Sequence, residues 1–265
     1  MFDYAAMVTG ASEGLGKSFA IELASRGANL VLVALPATGL PQLASFLEMN
    51  FGIRVIYFEK DLTTPDACHQ LFYALSARQI TISILINNAG LGNLSLFEEK
   101  TAVFYKMQIE LNSIIPVMMT RHFLGQIDRN VQNHVLNVGS LGGRFMVPRK
   151  QVYGATKSFI RYFTKALRSE MAGSSVSISL LSPGGIDTKP ELLVMNAKLN
   201  ALARASILEP EMVARIAIDG MLRGKTEIIP GRLNRFFVLI NNIIPDNLQS
   251  WVISRQLKTG ASMFS

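Results

Sequence analysis

The chain has a single cysteine, Cys68, three histidines and one tryptophan among 265 residues, and only 17% of its residues are charged. One cysteine closes no disulfide within the chain, and no cysteine and histidine cluster has metal-ligand spacing, so no metal is expected and a reducing, cytoplasmic setting fits. No eighteen apolar residues run without interruption; the richest stretch, from Phe236 to Ile244, is broken by Asn241 and Asn242 and stopped by Pro245, which argues against a membrane span. The opening MFDYAAMVTG has no basic segment ahead of an apolar one, so no secretory signal is expected there. Low-complexity tracts, internal repeats and Pro/Ser-rich linkers are also absent, and the reading is of one domain over residues 1–265. With 49% hydrophobic residues such a chain can bury a large core.

The charge it does have is unevenly placed. The net charge is +7, yet residues 1–120 carry more acidic than basic groups. The excess lies in residues 121–168, where Arg121, Arg129, Arg144, Arg149, Lys150, Lys157, Arg161, Lys165 and Arg168 face Asp128 alone. Basic residues without interleaved stacking aromatics do not describe a nucleic-acid module, so no nucleic-acid partner is expected. They serve either as solvated helix faces or as a rim attracting an anionic ligand, with Arg144, Arg149 and Lys150 the candidates for the second role.

Short β-branched and aliphatic runs alternate with segments of helical length and three- and four-residue apolar spacing, the pattern of a mainly parallel sheet covered on both faces. Strands are predicted near Tyr4–Val8, Asn29–Ala34, Arg54–Glu59, Ile82–Ile86, His134–Val138, Val176–Leu181 and Glu227–Ile229, and helices over Leu15–Arg26, Pro65–Ala77, Thr101–Gln126 and Gln151–Met171. The fold class is therefore α/β, a seven-stranded doubly wound domain of Rossmann type, whose ligands bind outside the carboxyl ends of the strands.

The motifs sit at those ends. After the first strand comes TGASEGLG, Thr9–Gly16, where Gly10 permits a tight turn, Gly14 lets the backbone approach a phosphate and Gly16 lets the helix close on the sheet. The fourth strand ends in Asn87, Asn88, Ala89 and Gly90; the fifth ends at Ser140. Thirteen positions on, Tyr153 and Lys157 stand one helical turn apart, so an ammonium can favour the phenolate beside a hydroxyl that meets the same substrate oxygen.

Over essentially its whole length the sequence resembles the classical short-chain dehydrogenases/reductases. Thr9, Gly10, Gly14 and Gly16 match TGxxxGxG, Asn87–Gly90 match NNAG, and Tyr153 and Lys157 match YxxxK. Asn112, Ser140, the Pro183-Gly184 pair and the Asp61-Leu62 pair complete the pattern. The resemblance implies an NAD(P)(H)-dependent oxidoreductase in which Tyr153 is general acid and base, Lys157 lowers its pKa and bonds the nicotinamide ribose, Ser140 polarises the substrate oxygen and Asn112 holds a water. It further implies cofactor contacts from Gly10, Ser12, Gly14, Leu15, Gly16, Asp61, Leu62, Asn88, Ala89, Gly90, Tyr153, Lys157, Pro183, Gly184, Ile186 and Thr188, and a homodimer or homotetramer built on the long helices.

The chain departs from the pattern after the second strand, where Ala34 and Leu35 replace the acid that bonds NAD and no base precedes Arg54. NADP(H) is slightly favoured over NAD(H). Leu192, Leu193, Met195 and Leu199 favour an apolar ketone or secondary alcohol, such as an acyl-chain or steroid-like substrate. Leu233, Phe236, Phe237, Ile240 and Ile244 form one apolar helical face, continued by Leu248, Trp251 and Val252. It serves as a packing or subunit surface, a substrate lid or a peripheral membrane contact. The alternative function is a non-catalytic dinucleotide-binding sensor or interaction protein on the same fold.

Overall fold

In a computed structural model of the chain, which describes residues 4–186 and 206–241, seven strands form one parallel sheet in the order β3-β2-β1-β4-β5-β6-β7. The strands are β1 (Ala5–Thr9), β2 (Asn29–Ala34), β3 (Val55–Glu59), β4 (Ile82–Asn87), β5 (Asn133–Val138), β6 (Val176–Leu181) and β7 (Glu227–Ile228). Every described pairing is parallel, so the sheet is wholly parallel where the sequence predicted a mainly parallel one. The order reverses between β1 and β4, which places a crevice at the carboxyl ends of those strands.

Alternation along the strands divides the core into two layers. Ala6 and Val8 of β1, with Leu30 and Leu32 of β2, pack beneath α1 (Gly14–Ser25), α2 (Leu40–Phe51) and α7 (Pro210–Leu222), contributing Phe19, Leu47 and Met221 among others. Ala5 and Met7, with Val31 and Val33, face α3 (Ala67–Ala77) and α5 (Ile115–Leu124) through Phe72, Leu75, Met119 and Phe123. Both faces of each central strand are therefore apolar, which is why the strands read as continuous hydrophobic runs.

Helix ends follow local chemistry. Gly39 and Gly52, at φ of 76° and 65°, bracket α2, a backbone region that costs glycine no steric penalty. Thr101 caps α4 (Ala102–Ile109), its hydroxyl accepting from the Phe104 amide at 3.2 Å. The single helix expected over Thr101–Gln126 is instead interrupted by a π-helical turn at Glu110–Ile114, between α4 and α5. That turn widens the ladder at Asn112 and turns its amide toward the loop after β4. α6 (Gln151–Glu170) runs unbroken beside it.

In the final described helix, α8 (Arg232–Asn241), the expected apolar face is turned away from the core. Asn234 and Val238 are its buried residues, Leu233 and Phe237 are half-buried, and Phe236 and Ile240 are exposed. Asn234 turns inward because its amide donates to the Ser206 and Pro230 carbonyls at 3.0 and 2.9 Å. Ile244, Leu248, Trp251 and Val252 lie outside the described residues, as do Leu192, Leu193, Met195 and Leu199. Among the described residues no helix is long and apolar enough to cross a membrane.

Candidate active site

At the end of β1 the backbone turns through Gly10, at φ 64°, and Gly14, at φ 52°. A Cβ on Gly16 would overlap the Gly10 carbonyl and stand 2.6 Å from the Asn88 amide nitrogen, while one on Gly10 would stand 2.9 Å from the Ala89 Cα. The turn, the start of α1 and the loop after β4 thus fit together only without side chains at these positions. Glu13, at the N-cap of α1, makes no side-chain cap hydrogen bond, and helix-start amides of this kind suit an anion. Leu15 is buried in the core, so its part in this cradle is its backbone.

Thr9 ties the cradle to β4: its hydroxyl accepts from the Asn88 and Ala89 amides, both at 3.0 Å. The Asn88 side chain donates back to the Thr9 and Gly10 carbonyls at 2.9 and 3.1 Å. Below them Asn87 donates to Asn137 across the β4–β5 pair at 2.8 Å and to Thr120 at 3.1 Å, and Asn137 donates to Thr164 of α6 at 2.9 Å. This buried chain of amides and hydroxyls locks β4, β5, α5 and α6 into one register.

Asn112 uses its whole amide to hold the next segment, accepting from the Leu91 N–H at 2.8 Å and donating to the Leu91 carbonyl at 2.9 Å and to Thr156 at 3.1 Å. Gly90 lies between Asn112 and Lys157: a Cβ there would be 3.1 Å from Oδ1 and 3.6 Å from Nζ. Lys157 is 6% exposed and donates to the Val138 carbonyl at 2.8 Å. Burial pulls its ammonium down from 10.5 to about 8.

Tyr153 stands above Lys157, whose Nζ is 5.8 Å from the ring centroid, while the Nζ of Lys150 is 5.4 Å from it. Burial raises the phenol pKa and a hydrogen bond with Ser140 works against the rise; burial also lowers the Lys150 ammonium. The resemblance has Lys157 lowering the phenol pKa; here burial raises it, and the opposing effect comes from Ser140. The Ser140 hydroxyl accepts from the Gly142 amide at 3.0 Å. Ideal Cβ atoms on Gly92 and Gly142 would each lie 3.6 Å from one edge of the Tyr153 ring, so these glycines leave the phenol approachable. Neither glycine entered the sequence prediction, though each follows a recognised motif by two positions. A cavity of about 270 Å³ adjoins this turn, lined by Gly142, Phe145, Met146, Val147, Lys150 and Ser158 among others.

The remaining predicted residues divide. Asp61 accepts from the Thr63 amide and hydroxyl at 2.9 and 2.7 Å, shaping the turn after β3, and Leu62 is buried. Pro183 accepts from the Leu141 amide at 2.9 Å, and Gly184 lies where a Cβ would meet the Asn234 amide at 2.8 Å. Ile186 pairs with Leu208 in an isolated bridge. Ser12 lies in the glycine-rich turn, and Thr188 lies outside the described residues.

Two charge expectations change. Arg144 does line the cavity, but its charge is paired: its guanidinium grips Glu227, Nε to Oε1 at 2.9 Å and Nη2 to Oε2 at 2.6 Å. Arg54 precedes β3 at its amino end and its amide bonds Asn29, at the opposite end of these adjacent strands from Ala34.

Residues 4–198 match the short chain dehydrogenase family. The chain belongs to that family. Members are oxidoreductases acting on CH–OH and C=O groups. The chain is 29% identical over 188 residues to a very-long-chain 3-oxoacyl-CoA reductase of Danio rerio, a match covering 69% of this chain but only 58% of that relative. It is 27% identical over 241 residues to a 7beta-hydroxysteroid dehydrogenase of Clostridium sardiniense, covering 91% of this chain and 90% of the relative. Among solved structures, a short-chain dehydrogenase from Sphingobium yanoikuyae in complex with NADPH superposes with a TM-score of 0.76 at 26% identity, covering 95% of each chain.

Proposed function

We propose that this short-chain dehydrogenase reduces a ketone carried on an apolar body, acyl-chain or steroid-like, with NADP(H) as the hydride partner. The observation that carries the reading is the convergence of Ser140, Tyr153 and Lys157, with Asn112 behind them, beside a side-chain-free cradle at the switch point of the sheet. The glycine cradle and uncapped start of α1 suit a pyrophosphate, the turns at Asp61-Leu62 and Pro183-Gly184 flank it, and Lys157 lies within reach of a ribose. The bound nicotinamide supplies the hydride.

The chain's own residues handle the oxygen and the proton. As the carbonyl carbon accepts the hydride, negative charge gathers on its oxygen. The Tyr153 O–H donates its proton there and the Ser140 hydroxyl donates a hydrogen bond to the same atom. The buried Lys157 ammonium stabilises the phenolate left behind. Because burial raises the phenol pKa, Tyr153 enters the reaction protonated at neutral pH, the form reduction needs. Oxidation would require the phenolate and a higher pH.

Support for NADP(H) comes from the missing acid at Ala34 and Leu35 and from the NADPH-bound neighbour. Support for an apolar substrate comes from the names of the acyl-CoA and hydroxysteroid relatives. Lys150, on the cavity wall, would favour an anionic carrier or carboxylated substrate. Two exposed apolar rows, Val103, Met107, Ile114 and Met118 along α4 and α5 and Phe159 and Tyr162 on α6, suit a homodimer contact. Titration with NADPH and NADH, followed by ketones of graded chain length and ring count, tests the reading. A preference for NADPH and for extended apolar ketones is expected; turnover confined to small polar ketones would refute the substrate class.

A further inference from the structure

The Glu227 carboxylate is 10% exposed and sits at the start of the two-residue strand β7. It is the meeting point of three segments that each carry candidate site residues. From the turn after Ser140 comes the two-pronged grip of Arg144. From the end of β6, next to Pro183, the Ser182 hydroxyl donates to Oε1 at 2.8 Å. From α6, two turns beyond Lys157, Lys165 Nζ lies 3.1 Å from Oε2, and Arg161 Nε stands 3.9 Å from Oε1. Three of the basic residues of 121–168, Arg144, Arg161 and Lys165, converge on this one acid, contributed by a strand 83 positions from Arg144.

The grip is mechanically linked to the site. Gly143, between Arg144 and the Ser140–Gly142 bond, packs so closely on α6 that a Cβ would lie 2.6 Å from the carbonyl carbon of Lys157. Ser158 donates to the Gly143 carbonyl at 2.9 Å, and the Leu141 amide donates to Pro183 at 2.9 Å. A shift of Arg144 therefore moves a turn that has Ser140 at one end and rests on the backbone of Lys157. Fork-to-carboxylate pairing fixes both distance and plane, which a point charge does not.

We propose that Glu227 is a positioning residue for the reaction: through Arg144 and Ser182 it holds the Ser140 turn and the Pro183 segment in register with the Tyr153–Lys157 face of α6. The proposal rests on the oxidoreductase reading above, and its test has a readout that needs no turnover. Two variants serve. Glu227→Gln removes the charge; Arg144→Lys keeps every charge and removes only the fork. For each, the Tyr153 pKa is read as the tyrosinate absorbance that disappears in the matching Tyr153→Phe protein, alongside kcat and KM for an NADPH-dependent ketone reduction and the thermal midpoint.

Because Ser140 bonding holds the phenol pKa down, a displaced turn raises it. Arg144→Lys is expected to raise the Tyr153 pKa measurably and to cut kcat on the order of tenfold with KM changed less than about threefold, in protein that remains folded. Glu227→Gln is expected to do the same more strongly. If Glu227→Gln does not fold, Arg144→Lys decides alone, and if neither folds, Ser182→Ala, which deletes a single hydrogen bond to the carboxylate, is read in the same way. An unchanged or lowered Tyr153 pKa with unchanged kcat, whatever the thermal midpoint does, overturns the proposal and leaves Glu227 a stabilising ion pair. A wild-type protein that shows no ketone reduction but the same pKa response would instead refute the function while sustaining the positioning.

Discussion

Lys157→Met should make the nucleotide-free protein more stable at neutral pH while removing its catalytic competence. Lys157 is 6% exposed, and burial alone takes its ammonium from 10.5 to about 8. The unfolded chain keeps that proton up to 10.5 and the folded chain releases it near 8, so below pH 8 folding bears the full cost of confining the charge. At 1.36 kcal/mol per pKa unit this is about 3 kcal/mol. Against it stands the hydrogen bond to the Val138 carbonyl at 2.8 Å, whose loss costs about 1–2 kcal/mol. Methionine matches the stem in length and needs no solvation, leaving a net gain of about 1–2 kcal/mol, or roughly 2–8 °C in the thermal midpoint. Wild-type stability rises with pH between the two values as the folded lysine loses its charge, so the advantage of the variant is greatest below pH 8 and shrinks as pH rises toward 10.5. Melting curves of both proteins at about pH 6.5, 8 and 9.5 read this directly. A variant less stable than wild type at the lowest pH, or a gain independent of pH, would refute the reasoning.

Three further outcomes follow from the geometry. Gly16→Ala places a methyl against the Gly10 carbonyl, and should abolish NADPH binding in calorimetry and lower stability by about 2 kcal/mol or more; retained nanomolar to micromolar binding would contradict the cradle. Ser140→Ala removes the bond that opposes the burial-driven rise of the Tyr153 pKa, and should shift the pH midpoint of alcohol oxidation upward while cutting kcat about 10²-fold. A pH–rate profile superposing on wild type would show that Ser140 does not touch the phenol. Lys150→Gln should raise KM for a carboxylated or CoA-linked ketone several-fold while leaving a neutral ketone within about twofold, measured by steady-state NADPH oxidation; equal effects on both would remove Lys150 from substrate selection.

The sheet was largely legible because a buried parallel strand advertises itself. Val176–Leu181 and Asn29–Ala34 match their strands residue for residue. Where the prediction stopped short, at Asn87 and Asn133, the strand continues through a buried asparagine. Polar residues there read as loop until the cross-strand partner is known, and Asn87 meets its partner Asn137 50 positions away. Tyr153, Lys157, Ser140 and Asn112 were readable as a pattern because short-range spacing and strand ends fix their places. The π turn at Asn112 was not, since a one-residue expansion of a helix leaves the apolar spacing nearly intact.

Charge partners were the least legible feature. Nothing in the local sequence of Arg144 tells that its carboxylate comes from β7, so of the three residues expected at a rim Arg144 is instead paired, with Arg161 and Lys165, to Glu227, while Lys150 stays on the cavity wall. Which side of α8 packs on the core was illegible for a related reason. Its apolar residues outnumber the polar ones, yet Asn234 goes inward because two carbonyls there need a donor.

If Tyr153 supplies the proton for an NADPH-dependent carbonyl reduction, single-turnover measurement on Tyr153→Phe exposes it. Mixed with saturating NADPH and an extended apolar ketone, wild-type protein should consume the NADPH absorbance. The variant should bind NADPH with a Kd within about threefold of wild type and reduce the ketone at least about 10³-fold more slowly. Reduction by Tyr153→Phe at the wild-type rate would mean that the proton comes from another group.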